Sequence, residues 1–287
     1  MWIVYALASA VFAGATSILA KVGIRDCDSH VVTALRTGVV LVFSWLMVLI
    51  TGAQAGLSAL TGRTMLFLTL SGLATGVSWL CYFKALQLGP VASVAAVDKS
   101  STVLTILLAA LLLSEGLTLW KGAAMVLIAV GTLLMLELKP VRGAGRKGSR
   151  GWLVCAALSA IFAALTSILA KLGLQDVNSN LATALRTGVV LVMAWGMVFL
   201  TGKGKLVRHV RGRSLLFTVL SGIATGASWL CYYKALQLGP ASAVAPIDKL
   251  SILITVAFAR VFLGERLSRK ALAGLAVLTA GTLLTLL

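Results

Sequence analysis

The sequence predicts an all-α integral membrane protein of ten transmembrane helices, arranged as two five-helix repeats of inverted topology. Three observations carry that expectation. The first is composition: of 287 residues, 60% are hydrophobic and 11% charged, with a mean hydropathy of +1.03, which suits a chain solvated by lipid. The second is an internal repeat, because residues 1–137 and 151–287, aligned without a gap at an offset of 150, agree at about half of their positions. The third is the placement of basic residues, which fall on one side of the membrane once the copies are set against each other.

In the first copy the apolar runs are Trp2–Ala20, Val31–Ile50, Met65–Leu88, Val91–Leu113 and Leu119–Leu138. Each is close to the roughly 20 residues an α-helix needs to cross about 30 Å of hydrocarbon. The second copy repeats all five. Alternating ten-residue strands are absent, which argues against a β-barrel. Trp2–Ala20 is not read as a signal peptide, because it has no basic leading region and its pattern recurs at Trp152–Ala170. The units are therefore 1–138 and 151–287, joined by a basic, glycine-rich linker, 139–150.

Five helices per copy is an odd number, so the second copy enters the membrane from the opposite face. Of the 25 Lys and Arg, ten occupy matched positions and cancel between the faces, and the other fifteen divide 14 to 1. Arg25, the linker cations and those of Lys203–Arg211 stand among the 14, and Lys121 alone lies opposite. By the positive-inside rule the linker is cytoplasmic and both termini are outside, in a multi-pass protein of the plasma or inner membrane. Orientation accounts for the net charge of +17, and nucleic acid is not an expected partner. An inverted repeat of this kind builds a midplane site at its pseudo-two-fold axis.

The candidate site residues cluster in WLCYFKALQLGPVASVAAVDK, 79–99, and its copy WLCYYKALQLGPASAVAPIDK, 229–249. Gly89 and Gly239 fit the position after a helix end and Pro90 and Pro240 the start of the next helix, giving a tight hairpin. Among the eight acids, Asp98 and Asp248 alone fall at depth within an apolar run, where an ionisable group is expensive and marks a functional site unless a structural ion pair accounts for it. Asp98, Ser101 and Thr105 share one helical face, as do Asp248, Ser251 and Thr255, and Lys99 and Lys249 follow the acids directly. Pro246, two residues before Asp248, is expected to loosen its helix.

The second helix carries Arg36 with Thr33 and Thr37, repeated as Arg186 with Thr183 and Thr187. Snorkelling to the headgroups is the plain reading, but retention of the arginine on both leaflets points to the mouth of a cavity. In the third helix Ser71, Thr75, Ser78 and Tyr82 form a polar stripe that returns at Ser221, Thr225, Ser228 and Tyr232. Trp79 and Tyr82, with Trp229 and Tyr232, are candidates to line the site, and Gly72 and Gly76 mark close helix packing. Ser9, Ala13, Thr16 and Ala20 read as a packing face, and Lys21 and Lys171 as snorkelling cations. Cys27, Cys81, Cys155 and Cys231 form no metal or redox pattern and read as structural thiols. No metal, cofactor or catalytic residue is expected. An enzyme would need an acid/base pair or nucleophile at a hydrophilic boundary, and the two histidines, His30 and His209, are not repeated between the copies.

The run ALQLGPASAVAPIDKLSILITVAFARVFLGE, 235–265, and its first-copy counterpart resemble the EamA domain of the drug/metabolite transporter superfamily, as does the five-helix unit. The likeness covers nearly the whole chain. It implies a secondary active transporter that moves a small polar metabolite, an amino acid or an organic anion or zwitterion, by alternating access, with proton coupling left open. The alternative is a flippase or exporter of lipid-linked or hydrophobic compounds. Each half looks like the five-helix members that pair as antiparallel dimers, so the chain looks like such a pair fused: a monomer with internal pseudo-dimer symmetry whose partners are a small-molecule substrate and the bilayer. Two departures stand out. Ten-helix members typically keep both termini in the cytoplasm, and the first-helix glutamate that couples protons in the small multidrug resistance relatives has no counterpart between Trp2 and Ala20.

Overall fold

The computed structural model describes residues 1–23, 27–88, 97–98, 100–135, 151–175, 177–254, 257 and 268–286. Every regular element among them is helical. In chain order these are α1 (Trp2–Gly23), α2 (Ser29–Ile50), α3 (Gly62–Leu88), α4 (Ser101–Leu112), α5 (Leu119–Met135), α6 (Gly151–Gly173), α7 (Ser179–Leu200), α8 (Gly212–Leu238), α9 (Ala241–Lys249) and α10 (Arg269–Leu284). Short 3-10 turns follow α2 at Ala53–Ala59 and α7 at Gly204–His209. Six of the helices, α1, α2, α3, α6, α7 and α8, are long and apolar enough to cross a membrane, and α4 and α5 are apolar but shorter. The linker 139–150, the turn at Gly89 and Pro90, and the candidate residues Lys99 and Thr255 lie outside the described residues.

Helices begin where the sequence offers an oxygen for their open N–H groups. The Asp28 carboxylate accepts from the backbone N–H of His30 and Val31 at 2.9 and 3.4 Å, at the start of α2. Asn178 caps α7 through the N–H of Asn180 at 2.9 Å, and Ser268 caps α10 through that of Ala271 at 3.2 Å.

The fourth segment departs from the single helix expected over Val91–Leu113. Its backbone turns at Ser100, whose N–H and hydroxyl both donate to the Val97 carbonyl, at 3.0 and 2.5 Å, before α4 begins. In the second copy α9 stops at Lys249, the Leu250 N–H donates to the Ile247 carbonyl at 2.9 Å, and helix resumes at Ser251. A serine hydroxyl competing for a main-chain carbonyl explains the first break; Pro246 removes a donor inside α9, but it acts on the turn before it and not on Leu250. Proline alone is not the cause, since the copy with Ala96 turns at the same place.

Packing between the copies is reciprocal. α1 lies on α8 and α6 on α3; α2 lies on α7, α4 on α9 and α5 on α10. Lys203, beyond the end of α7, donates to Asp28 at the start of α2, at 2.7 Å, and Asn180 at the start of α7 donates to Thr51 at the end of α2, at 3.2 Å. The two helices therefore run antiparallel. Glycine permits the closest approaches, because a Cβ on Gly72 would stand 2.7 Å from Val189 Cβ and one on Gly222 2.6 Å from Val39 Cβ. The outward faces are apolar: Val42 and Val192, at matched positions, are 71% and 72% exposed, a surface that suits lipid rather than water.

Candidate functional site

The polar stripe of each third helix meets the first helix of the other copy. On one side Ser78 donates to the Ser159 carbonyl at 3.0 Å, and Ser71 to the Thr166 carbonyl at 2.8 Å. On the other, Ser228 donates to the Ser9 carbonyl at 3.0 Å and Ser221 to the Thr16 carbonyl at 3.3 Å. The small residues expected to form a packing face on α1 do so against α8, but their hydroxyls also reach further. Ser9 Oγ donates to Asp248 Oδ1 at 2.7 Å, and its counterpart Ser159 Oγ to Asp98 Oδ1 at 3.3 Å. Each acid at the broken fourth segment thus meets a serine from the other copy.

Among the described residues neither Asp98 nor Asp248 forms an ion pair. Both acids are half-buried. Ser101 and Thr105 are buried, and the Thr105 hydroxyl donates to the Ser101 carbonyl at 2.9 Å, so it serves its own helix. Ser251 is half-buried.

Between the copies lies a cavity of about 240 Å³ that gathers Trp79 from α3, Arg186 from α7, Trp229 and Tyr232 from α8, and Asp248 and Lys249 from α9. Tyr232 Oη is 2.8 Å from Ser167 Oγ of α6, which also lines it. Arg186 does not snorkel. It is 2% exposed, its Nε donates to Ser71 Oγ at 2.9 Å and its Nη2 to Thr75 Oγ1, and its guanidinium lies 5.1 Å from the Trp229 ring and 4.7 Å from that of Tyr233. The third nitrogen, Nη1, is buried without a hydrogen-bond partner.

The matched Arg36 is in a different position. It is half-buried, does not line the cavity, and among the described residues no hydrogen bond holds it. Asp98 and Tyr82 also do not line this cavity, Tyr82 packing beside Ala85 and Ala156. Of the candidate site residues, six therefore line this cavity, with Thr75, Ser78 and Ser228 of the polar stripes beside them, and Arg36, Asp98, Ser101, Thr105, Ser251 and Tyr82 do not line it. Sequence reasoning missed Tyr233, whose counterpart is Phe83, so comparing the copies hid it. It also missed Ser9 and Ser159, although both copies carry that hydroxyl.

Two further polar residues fix the start of α9. Glu115, ahead of α5, accepts from the N–H groups of Ala241 and Ser242 at 2.7 and 3.0 Å, capping the helix that carries Asp248. Lys171 donates to the Leu236 carbonyl at 2.6 Å and to that of Gly239, closing the end of α8 instead of snorkelling. The Lys21 side chain is outside what the structure describes. The four cysteines are half-buried free thiols. Among the described residues no three His, Cys, Asp or Glu side chains gather as a metal site would require.

The family described as "EamA-like transporter family" matches residues 1–137 and 150–287. A curated relative from Sinorhizobium sp., named "Uncharacterized transporter in cobO 3'region", is 48% identical over 136 residues, which is 47% of this chain and 96% of the relative. Its length thus corresponds to about one repeat. A solved structure described only as "Crystal structure of protein" superposes with a TM-score of 0.79 at 16% identity, covering 99% of this chain and 95% of its own, a likeness of fold.

Proposed function

The chain belongs to the EamA-like transporter family, and from that premise we propose that it is a secondary transporter moving a small polar metabolite, an amino acid or an organic anion, by alternating access. In this reading all ten segments span the membrane as an inverted repeat, with the linker cytoplasmic and both termini outside. The antiparallel run of α2 and α7 and the reciprocal packing of the copies support it, as does a relative about one repeat long. Two copies in opposite orientation can rock about a shared site and open it to either face in turn.

The observation that carries the proposal is the cavity itself. It is lined from both copies, it holds Asp248 and Lys249 where the fourth helix breaks, and discontinuous helices are the usual frame of a midplane binding site. A volume of about 240 Å³ suits a small metabolite better than a lipid-linked compound, since drug-sized ligands already occupy roughly 300–1,000 Å³. Uptake into proteoliposomes from a panel of amino acids and organic anions, with and without a pH gradient, is the test. Saturable flux of at least one of them, abolished by Asp248→Asn, is the expected result, and an effect of the gradient would add proton coupling. Flux of none of the panel together with flux of a lipid-linked compound would replace the proposal with a flippase.

A further inference from the structure

The geometry points to Arg186 as the residue that takes the carboxylate of the cargo. Arginine presents five N–H donors in a rigid planar fork. In Arg186 the edge formed by Nε and Nη2 is held by the hydroxyls of Ser71 and Thr75 across the copy boundary, and the rings of Trp229 and Tyr233 lie against the group. The guanidinium is thereby fixed in orientation, and what remains for two parallel bonds is the end edge, the second N–H of Nη2 and those of Nη1, a nitrogen that is buried without a hydrogen-bond partner on a residue that lines the cavity.

Two hydroxyls and two rings orient the charge but do not neutralise it. Among the described residues no carboxylate lies within 4.0 Å of Arg186. A permanent cation buried in a membrane protein without a counter-charge calls for an anion. The charges around the cavity indicate which kind, since Arg186 and Lys249 against Asp248 leave one positive charge. A monoanion matches it, and a carboxylate meets the guanidinium fork with two parallel hydrogen bonds; a phosphate dianion would need another cation. Among the described residues Arg36 has no such hydroxyl clamp and does not line this cavity, so the assignment concerns Arg186 alone.

The inference rests on the transport reading only for the source of the carboxylate. Its test is binding to the purified full chain in detergent, read as the thermal midpoint against concentration of acetate, benzoate and lactate, each beside its amide, with phosphate and chloride as further probes. At least one carboxylate is expected to raise the midpoint saturably at a concentration at least tenfold below its amide, and Arg186→Gln to weaken that response at least tenfold. Arg186→Lys, which keeps the charge and loses the fork, is expected to weaken it severalfold. Equal responses to acid and amide, a response to phosphate or chloride as strong as to any carboxylate, or wild-type binding by Arg186→Gln would overturn the assignment. If that variant fails to fold, the acid and amide comparison on the unaltered chain decides alone. Carboxylate binding without flux in proteoliposomes would keep the anion site and remove the transport reading; flux indifferent to Arg186→Gln would do the reverse.

Discussion

Asp248 accepts a hydrogen bond from the Ser9 hydroxyl and, among the described residues, forms no ion pair, and that decides what its removal should do. Breaking a buried ion pair would cost roughly 3–5 kcal/mol. Asparagine instead keeps an oxygen for Ser9 to donate to, so Asp248→Asn should leave stability within about 1 kcal/mol, the scale of one hydrogen bond, while transport falls at least tenfold. Thermal unfolding and proteoliposome flux on the same preparation check both halves, and Asp98→Asn should behave likewise. The acids were legible in the sequence because a charge inside an apolar run is conspicuous; their serine partners were not, because one small hydroxyl among alanines reads as packing. A different acid governs the response to pH. Burial pushes the Asp28 carboxyl up, but hydrogen bonds from Lys203 and the His30 N–H, with the Lys203 charge, outweigh it and hold the group below the usual carboxylate range. A depressed folded pKa stabilises above the unfolded value and is lost as pH falls through the folded one, so the contribution is complete at neutral pH and fades below about pH 4. With both side chains partly exposed it amounts to roughly 1 kcal/mol or less. The stability gap between wild type and Lys203→Ala should therefore be measurable at pH 7 and shrink progressively as the pH is lowered through the depressed folded value.

Helix packing carries its own prediction. A Cβ on Gly131 of α5 would stand 2.5 Å from the backbone nitrogen of Leu278 and 2.7 Å from the Gly274 carbonyl, in α10, and neither can move aside as a side chain can. Gly131→Ala should cost about 1–3 kcal/mol as overpacking, whereas Gly38→Ala, with open space around it, should stabilise by up to about 1 kcal/mol through helix propensity. Yield and unfolding midpoint of the two variants compare them directly. Gly72→Leu and Gly222→Leu should likewise damage folding before selectivity, since Val189 and Val39 fill the space a side chain needs. The long helices were readable because twenty apolar residues have few other uses. The break after Asp98 and Asp248 was not, since no residue type common to both copies produces it: a serine hydroxyl acts in one and a proline stands in the other. Glu115 and Lys171 escaped for a related reason, as each acts on main-chain groups of another segment, which leave no pattern in composition or spacing.

The whole molecule is two similar halves, and in the proposed reading they differ where orientation and binding require it. Lys203 faces Asp28 at one end, and at the matched opposite place Ala53 and Asn178 carry no charge; Arg186 sits inside the cavity while Arg36 does not line it. The repeat made the fold legible and at the same time concealed such differences, because reading two copies as one averages them. The excess of basic residues on the linker side predicts that a cysteine added at the C-terminus of a variant lacking native cysteines reacts with an impermeant thiol reagent in intact cells, and that one in the linker does not. The most direct test of alternating access places the cysteine in the cavity. Ala163 lines it from α6, so Ala163→Cys in the same background is labelled in right-side-out and in inside-out vesicles, with and without a transported substrate. Labelling from both faces, with substrate shifting the balance between them, is the predicted result; labelling from one face under every condition would contradict a site that opens to each side in turn.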